Sequence, residues 1–178
     1  EPISPAVIAA ASKLRVISRN GSGADNIPMA DTTARGISVE RAMAANATGV
    51  AELAIGLALS ACRHLPEVAA GVRIGAWPRP RGREIEGATV GIVGLGAIGR
   101  KVAGVMARMG AHVIGVDPLQ PDLGNDRIEY VELPDLARRA EIISLHCPMP
   151  AGNRPMFDST LIGQLRPSAV VINTARAG

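Results

Sequence analysis

From Thr89 onward the apolar residues come in short, nearly unbroken runs, and the segments between them have a helical period. Thr89-Val-Gly-Ile-Val93, His112 to Asp117, Ile142-Ile-Ser-Leu-His146 and Ala169-Val-Val-Ile-Asn173 are rich in Val and Ile, and a weaker run covers Ile128 to Leu133. Strands that lose polar alternation in this way are buried on both faces. Between the first two runs, Ile98, Val102, Val105, Met106 and Met109 fall at i, i+4, i+7, i+8 and i+11. Arg100, Lys101 and Arg108 lie off that stripe, and Gly110 stands where a helix should stop. The Met pair reads as core. Shorter helices are expected over Leu136 to Ala140 and Leu161 to Leu165. Strands alternating with helices give an α/β fold, a doubly wound parallel sheet.

The first part of the chain repeats the alternation on a smaller scale. Ser4 to Ser12 is helical, with Ser4 as its N-cap and Pro5 at the first position. Leu14 to Ser18 reads as a strand, Ile27 to Arg35 as a helix stopped by Gly36, and Ile37 to Val39 as a short strand. Residues 1–43 are therefore expected to be part of a second, smaller α/β domain, and 44–178 the larger one. From Thr48 the pattern changes again. Val50, Leu53, Ala54, Leu57, Ala58 and Ala61 make one apolar face, and Ala51, Ile55, Leu59 and Cys62 make another, with Thr48 or Asn46 as the cap. An all-round apolar helix of about four turns is too short for a bilayer and is expected to be buried in protein on both sides. A neighbouring domain and a second subunit, or one large core, would cover it. Pro66 is expected to end this helix, with one more short helix from Glu67 to Gly71. Gly75 to Gly82 reads as a Pro/Gly/Arg linker and an internal seam.

Composition narrows the partners. The chain has 178 residues, 47% of them hydrophobic, with 20 glycines and only Trp77, Tyr130 and Phe157 as aromatics. So few aromatics argue against a stacking surface for single-stranded nucleic acid. The net charge is +3, and the one arginine crowd, Arg73, Arg79, Arg81 and Arg83, reads as a solvated linker. Cys62 and Cys147 form no metal-ligand or disulfide pattern, so reduced thiols, no metal site and a cytoplasmic location are expected. The chain begins at Glu1 and stops at Gly178 just after a strand-like run, and both ends look cut from something longer.

The candidate chemistry sits on the strand ends. The first buried run leads straight into Gly94-Leu-Gly96-Ala-Ile-Gly99, a helix opens there, and the next run closes with Asp117. This is the strand, glycine turn and helix of a Rossmann dinucleotide site: glycines for the tight turn, backbone approach to the pyrophosphate and helix packing. The helix N-terminus faces the phosphate. A carboxylate at Asp117 accepts the adenosine ribose hydroxyls and repels a 2′-phosphate. Pro118-Leu119-Gln120 offers no arginine for that phosphate, which favours NAD. Ligands in open α/β sheets lie at the carboxyl strand ends, so His146-Cys147-Pro148 and Thr174-Ala175-Arg176 join the set. His146 fits a wall of the cofactor pocket better than a general base. Arg176 could grip a carboxylate with two parallel bonds, or be a solvated arginine at a helix start. Arg19 to Asn26 is a polar, glycine-bearing loop that either faces a small anion or simply connects.

Together, Arg19 to Asn26, Asn46 to Leu53, the Gly94 loop with Asp117, Ser144 to Pro148 and Asn173 to Gly178 resemble the D-isomer-specific 2-hydroxyacid dehydrogenases, most closely the phosphoglycerate dehydrogenase branch. The resemblance implies hydride transfer between NAD and a D-2-hydroxy acid, with 3-phosphoglycerate as the expected acid, in a homodimer or homotetramer. By the same resemblance Arg176 is the catalytic arginine on the substrate carboxylate. Ser22, Gly94, Gly96, Ala97, Ile98, Gly99, Asp117, His146, Cys147, Pro148, Thr174 and Ala175 are cofactor positions. Arg19 falls near a substrate phosphate, and Asn20 and Gly21 on a loop whose amides meet the carboxylate. The helix from Thr48 and the region of Trp77 lie where such dimers pair. Arg41-Ala-Met43 departs from the family's Asn-x-Pro. The family's acid/base Glu and His lie beyond Gly178, so this stretch is expected to bind NAD without turnover. A hydroxypyruvate or glyoxylate reductase, and a non-catalytic NAD-sensing protein of the same fold, are the alternatives.

Overall fold

A computed structural model describes residues 2–122, 128–148 and 156–175. Within it the chain divides into two compact units, Glu1–Asn46 and Ala47–Gly178.

In the first unit α1 (Pro5–Ala10) starts as its sequence requires. Ser4 is extended, its hydroxyl accepts from the Val7 N–H, and Pro5 fills the first turn, where no N–H is needed. β1 (Val16–Arg19), α2 (Met29–Ala34) and β2 (Ser38–Arg41) follow. β1 and β2 are parallel, with Val16 opposite Ser38 and Arg19 opposite Arg41. Ile8, Ile27, Thr32 and Ile37 are buried. The Arg35 guanidinium caps α1 from outside: it donates to the Ile8 carbonyl and, at 3.1 Å, to that of Ala11.

The second unit opens with α3 (Ala47–Cys62) and α4 (Leu65–Arg73), then β3 (Thr89–Val93), α5 (Ala97–Arg108), β4 (His112–Val116), β5 (Ile128–Tyr130), α6 (Leu133–Arg139), β6 (Ile142–Leu145), α7 (Ser159–Ile162) and β7 (Val170–Asn173). The described strands of this unit form one parallel sheet in the order β5-β4-β3-β6-β7. The chain leaves β3 toward β4 on one side and returns through β6 on the other, so β3 and β6 flank the switch point of a doubly wound sheet. One face carries α3 and α5, in a core of Ala51, Ala54, Ala58, Val90, Ile92, Leu95, Val102, Met106, Ile142 and Ile172. The other carries α6, with Val93, Ile114, Leu136, Ala140 and Ile143. Gly91 sets that second spacing. A methyl group there would stand 2.7 Å from Leu136 and 3.0 Å from Ala140.

Four sequence expectations need correction. The helix from Thr48 is not buried all round within this chain: Ala51, Ala54, Ala58 and Cys62 are covered, while Leu53 is 57% exposed. Small side chains let α3 lie close on α5, and that side suffices for a stable contact. Pro66 does not end α3. The break comes at His64, which takes a left-handed conformation with φ 53°, and Pro66 instead sits in the first turn of α4, where its missing N–H is harmless. Met109 lies one residue past α5, as its C-cap, and is 37% exposed, so only Met106 of the expected core pair is buried. Arg83 is not a solvated linker residue. Its guanidinium donates to the carbonyls of Glu141 (3.0 Å) and Ser168 (3.1 Å) and to the Ser168 hydroxyl (2.8 Å). The linker is thereby stapled to the residues that lead into β6 and β7.

Candidate functional site: a dinucleotide cradle at the sheet's carboxyl edge

The turn after β3 needs each of its glycines for a different reason. Gly94 has φ +90°, and a methyl group there would meet the Cys147 amide nitrogen at 2.8 Å and the His146 carbonyl at 2.9 Å. Gly99 lies under the turn, and a methyl group would stand 1.9 Å from the Gly94 carbonyl oxygen. Gly96 is the opposite case. It is exposed, and a methyl group would meet nothing within 4 Å. Two glycines therefore shape the turn, and the third leaves its outer side open. Gly96 is also the N-cap of α5, with no side-chain cap, so the first-turn amides at Ala97 and Ile98 end on that open side.

Asp117, one residue past β4, holds the turn from the side. One carboxylate oxygen accepts from the Leu95 N–H at 2.7 Å and the other from the Leu119 N–H at 2.9 Å. The Gly94 N–H donates to the Val116 carbonyl at 2.8 Å. Each carboxylate oxygen keeps a further acceptor site. Beyond Asp117, Tyr130 at the end of β5 donates to the Pro121 carbonyl at 2.6 Å. Burial raises the Tyr130 pKa, with Asp117 and Asp122 adding to it.

On the other side of β3 the chain turns at the end of β6. The His146 N–H donates to Val93 at 2.7 Å, which sets this turn against the glycine turn. His146 Nε2 is hydrogen-bonded at 2.8 Å to the hydroxyl of Ser144, a buried residue two positions back on the same strand face. Burial lowers the His146 pKa to about 4, so the ring is neutral near neutral pH. Its Nδ1 is buried without a partner among the described residues, as is the Thr174 hydroxyl just past β7. The Cys147 thiol donates to Met156 Sδ at 3.7 Å, and burial raises its pKa, so it is a thiol rather than a thiolate. Pro148 is exposed. The Ala175 N–H donates to the Asn173 side chain at 3.0 Å. Arg176, the expected carboxylate grip, lies outside the described residues.

In the first unit, the Arg19 guanidinium donates to the Gly23 carbonyl of its own loop. Gly21 has φ +144° and its N–H donates to the Arg19 carbonyl at 3.0 Å. The Ser22 hydroxyl donates to the Ala42 carbonyl at 3.3 Å and accepts from the Ala44 N–H at 3.1 Å. Asn20 sits within this loop. The structure thus gathers residues 94–99, 117, 146–148 and 174–175 at the carboxyl edge of one sheet, and residues 19–22 at the end of β1. Among the described residues no group of His, Cys, Asp and Glu could hold a metal ion, and no helix is long and apolar enough to cross a membrane.

Sequence reasoning missed Ser144 and the Leu95 amide. The i, i+2 spacing of Ser144 and His146 was the available signal for the first, since such residues share a strand face. Nothing in the residue type of Leu95 marks its N–H as the partner of Asp117.

An open-sided glycine turn, a free helix N-terminus, a strand-end carboxylate on one flank and unpaired buried polar atoms on the other fit a dinucleotide laid across the switch point. Fold and site together define a dinucleotide-binding domain. Residues 55–178 match the family model described as D-isomer specific 2-hydroxyacid dehydrogenase, NAD binding domain. The chain belongs to that family, and its cofactor is NAD. It is 40% identical over 179 residues to the D-3-phosphoglycerate dehydrogenase of Mycobacterium leprae, covering 97% of this chain and 33% of that protein. It is 34% identical to the hydroxypyruvate reductase of Thermotoga maritima, covering 97% of this chain and 56% of that one. Among solved structures, a glyoxylate reductase from Paecilomyes thermophila superposes with a TM-score of 0.90 at 29% identity, over 99% of this chain and 55% of that one. D-2-hydroxyisocaproate dehydrogenase superposes with a TM-score of 0.87 at 28% identity, over 98% and 55%. The chain spans between a third and somewhat over half the length of these relatives.

Proposed function

We propose that the protein to which this chain belongs transfers a hydride between NAD and C2 of a D-2-hydroxy acid, with 3-phosphoglycerate as the substrate. The observation that carries the cofactor half is the pairing of an open Gly96 with a carboxylate at Asp117. Bound NAD supplies the hydride chemistry. The chain's own residues orient it: first-turn amides of α5 and the Gly96 backbone at the pyrophosphate, Asp117 at the adenosine ribose, and the strand ends at His146, Cys147, Pro148, Thr174 and Ala175 along the other half. Asp117 favours NAD because its carboxylate repels a 2′-phosphate.

Substrate recognition falls to Arg176 on the carboxylate, to the loop amides at Asn20 and Gly21, and to Arg19 at the phosphate. Residues 1–43 then serve as part of the substrate domain and 44–178 as the cofactor domain, with Ser22 a cofactor position by the family resemblance. The likeness to phosphoglycerate dehydrogenases supports this choice of acid. One observation favours a hydroxypyruvate or glyoxylate reductase instead: the Arg19 guanidinium turns its Nε–H onto the Gly23 carbonyl of its own loop, which leaves only its terminal N–H groups for an anion. Binding of 3-phosphoglycerate to the NADH-loaded chain and to its Arg19→Ala variant separates the two. Affinity unchanged by the substitution would sink the phosphoglycerate reading and leave the reductase. The exposed side of α3 with Leu53, and Trp77 at 73% exposure, support a homodimer or homotetramer. Sedimentation of the chain tests it. A cytoplasmic setting agrees with two free cysteines.

A further inference from the structure

Beyond Asp117 the chain makes a turn that its local sequence disfavours. Gln120 has φ 39°, and Pro121 follows it. A side chain at positive φ crowds its own backbone, and a proline pushes the residue before it toward extended conformations. Ala44, His64 and Gln120 are the non-glycine residues with positive φ among those described, and of these Gln120 alone precedes a proline. Packing does not impose the shape, because Pro118, Leu119 and Gln120 are exposed. Such a conformation persists only where other contacts over-determine it. Here they come from the two ends of the turn. Asp117 accepts from the Leu119 N–H through its carboxylate at 2.9 Å and from the Gln120 N–H through its carbonyl at 3.1 Å. At the far end the Tyr130 hydroxyl donates to the Pro121 carbonyl at 2.6 Å. Tyr130 is itself firmly based. It packs half-buried against the core shared by α3 and α5. The residues on either side of it are tied down: the Val131 N–H donates to the Gly115 carbonyl at 2.9 Å, and Arg139 of α6 donates to both carboxylate oxygens of Glu129, at 2.8 and 2.6 Å. Burial, with Asp117 and Asp122 adding and Arg100 opposing, raises its pKa, so the phenol stays protonated and donates.

We propose that Tyr130 is a positioning residue for cofactor choice: its hydroxyl straps the strained turn of residues 117–121 and so fixes the Asp117 carboxylate in the orientation that takes a ribose. The proposal rests on the NAD reading and adds to it a residue that acts through the turn rather than on the cofactor. The link is the shared carboxylate. One of its oxygens is held by the Leu95 N–H of the glycine turn and the other by the Leu119 N–H of the strapped turn. Without the strap, Gln120 relaxes toward the extended backbone that Pro121 favours, and the Leu119 N–H moves with it. The carboxylate is then left with one anchor and can rotate. A rotating carboxylate holds ribose hydroxyls less well and repels a 2′-phosphate less.

The test uses the whole chain, with calorimetric affinities for NADH, for NADPH and for ADP-ribose, which keeps the adenosine half and lacks the nicotinamide. Tyr130→Phe removes only the hydroxyl. It is expected to weaken NADH and ADP-ribose by the same factor, about fivefold, the effect of one lost hydrogen bond, and to narrow the preference for NADH over NADPH. Glycine takes positive φ without a Cβ penalty, so Gln120→Gly removes the need for the strap. Added to Tyr130→Phe, it should bring NADH affinity back to within about twofold of wild type and restore the preference for NADH. Alone, it should change neither. Circular dichroism and the thermal midpoint report an intact fold in every variant. Full affinity and preference in Tyr130→Phe would overturn the proposal. So would a loss that Gln120→Gly does not rescue, because a hydroxyl that merely stabilises the fold would give that result. A wild-type chain that binds neither NADH nor ADP-ribose would overturn the NAD reading itself, and the proposal with it.

Discussion

At residues 94–99 the backbone is fixed from outside: Asp117 holds the Leu95 amide, Val116 the Gly94 amide, and the His146–Cys147 turn presses on Gly94. At residues 19–23 side chains do most of the holding, Arg19 on Gly23, Ser22 on Ala42 and Ala44, and Arg41 at the end of β2 on the Ser22 carbonyl. Both loops follow a parallel strand and carry a positive-φ glycine. Around Gly94 every neighbour is core backbone, whereas a methyl group at Gly21 would meet nothing within 4 Å. The first loop cannot take a side chain at Gly94 without moving the sheet. The second can change locally.

Substitutions can break that contrast. Gly94→Ala combines an unfavourable φ with a backbone clash, and about 2–4 kcal/mol of unfolding free energy should be lost in urea titration followed by circular dichroism. A loss as small as that of Gly21→Ala, expected at about 1 kcal/mol, would show the two loops to be equivalent. Acid probes the same turn. His146 has its pKa lowered to about 4 by burial, so the unfolded chain binds the proton more readily. Its contribution is complete above about pH 6.5 and is lost as pH falls from there toward 4. The midpoint of thermal unfolding should fall across this window in wild type and stay flatter in His146→Gln.

Asp117→Ala removes a carboxylate from two backbone amides, and a cost of about 1–2 kcal/mol is expected together with weaker NADH binding and a smaller preference for NADH over NADPH. Ser22→Ala should cost about 0.5–1 kcal/mol. Gly96→Ala should change stability by less than about 0.5 kcal/mol, because its methyl group meets open space. Yet it should lower NADH affinity at least tenfold. A normal affinity would mean that the pyrophosphate does not approach Gly96.

What could be read in the chain beforehand was what repeats along it. The unbroken runs at Thr89, His112, Ile142 and Ala169 announced strands buried on both faces, and the parallel doubly wound sheet followed from their alternation with helices. The glycine turn was legible because three positions in a six-residue span have no side chain. Contacts between distant positions were not. Arg83 meets Glu141 and Ser168 across 58 and 85 positions, and no local pattern separates it from the solvated Arg79 and Arg81. Pro66 misled because proline both stops and starts helices, and His64, which takes the left-handed turn, carries no strong preference for doing so. The outer face of α3 was misjudged because apolarity reports what a helix could bury, not what this chain supplies to cover it.

The Arg83 staple bears on how the protein is made. Its acceptors are carbonyls at Glu141 and Ser168, and translation proceeds from the N-terminus, so the guanidinium leaves the ribosome long before either partner exists. Until Glu141 has emerged the guanidinium has neither acceptor, and until Ser168 has emerged it has only one. The helix pair that precedes it is joined to the central strands by a segment whose side-chain staple is still incomplete while those strands assemble. Stalled chains released before and after Ser168 should therefore differ sharply in proteolysis at Arg79 and Arg81.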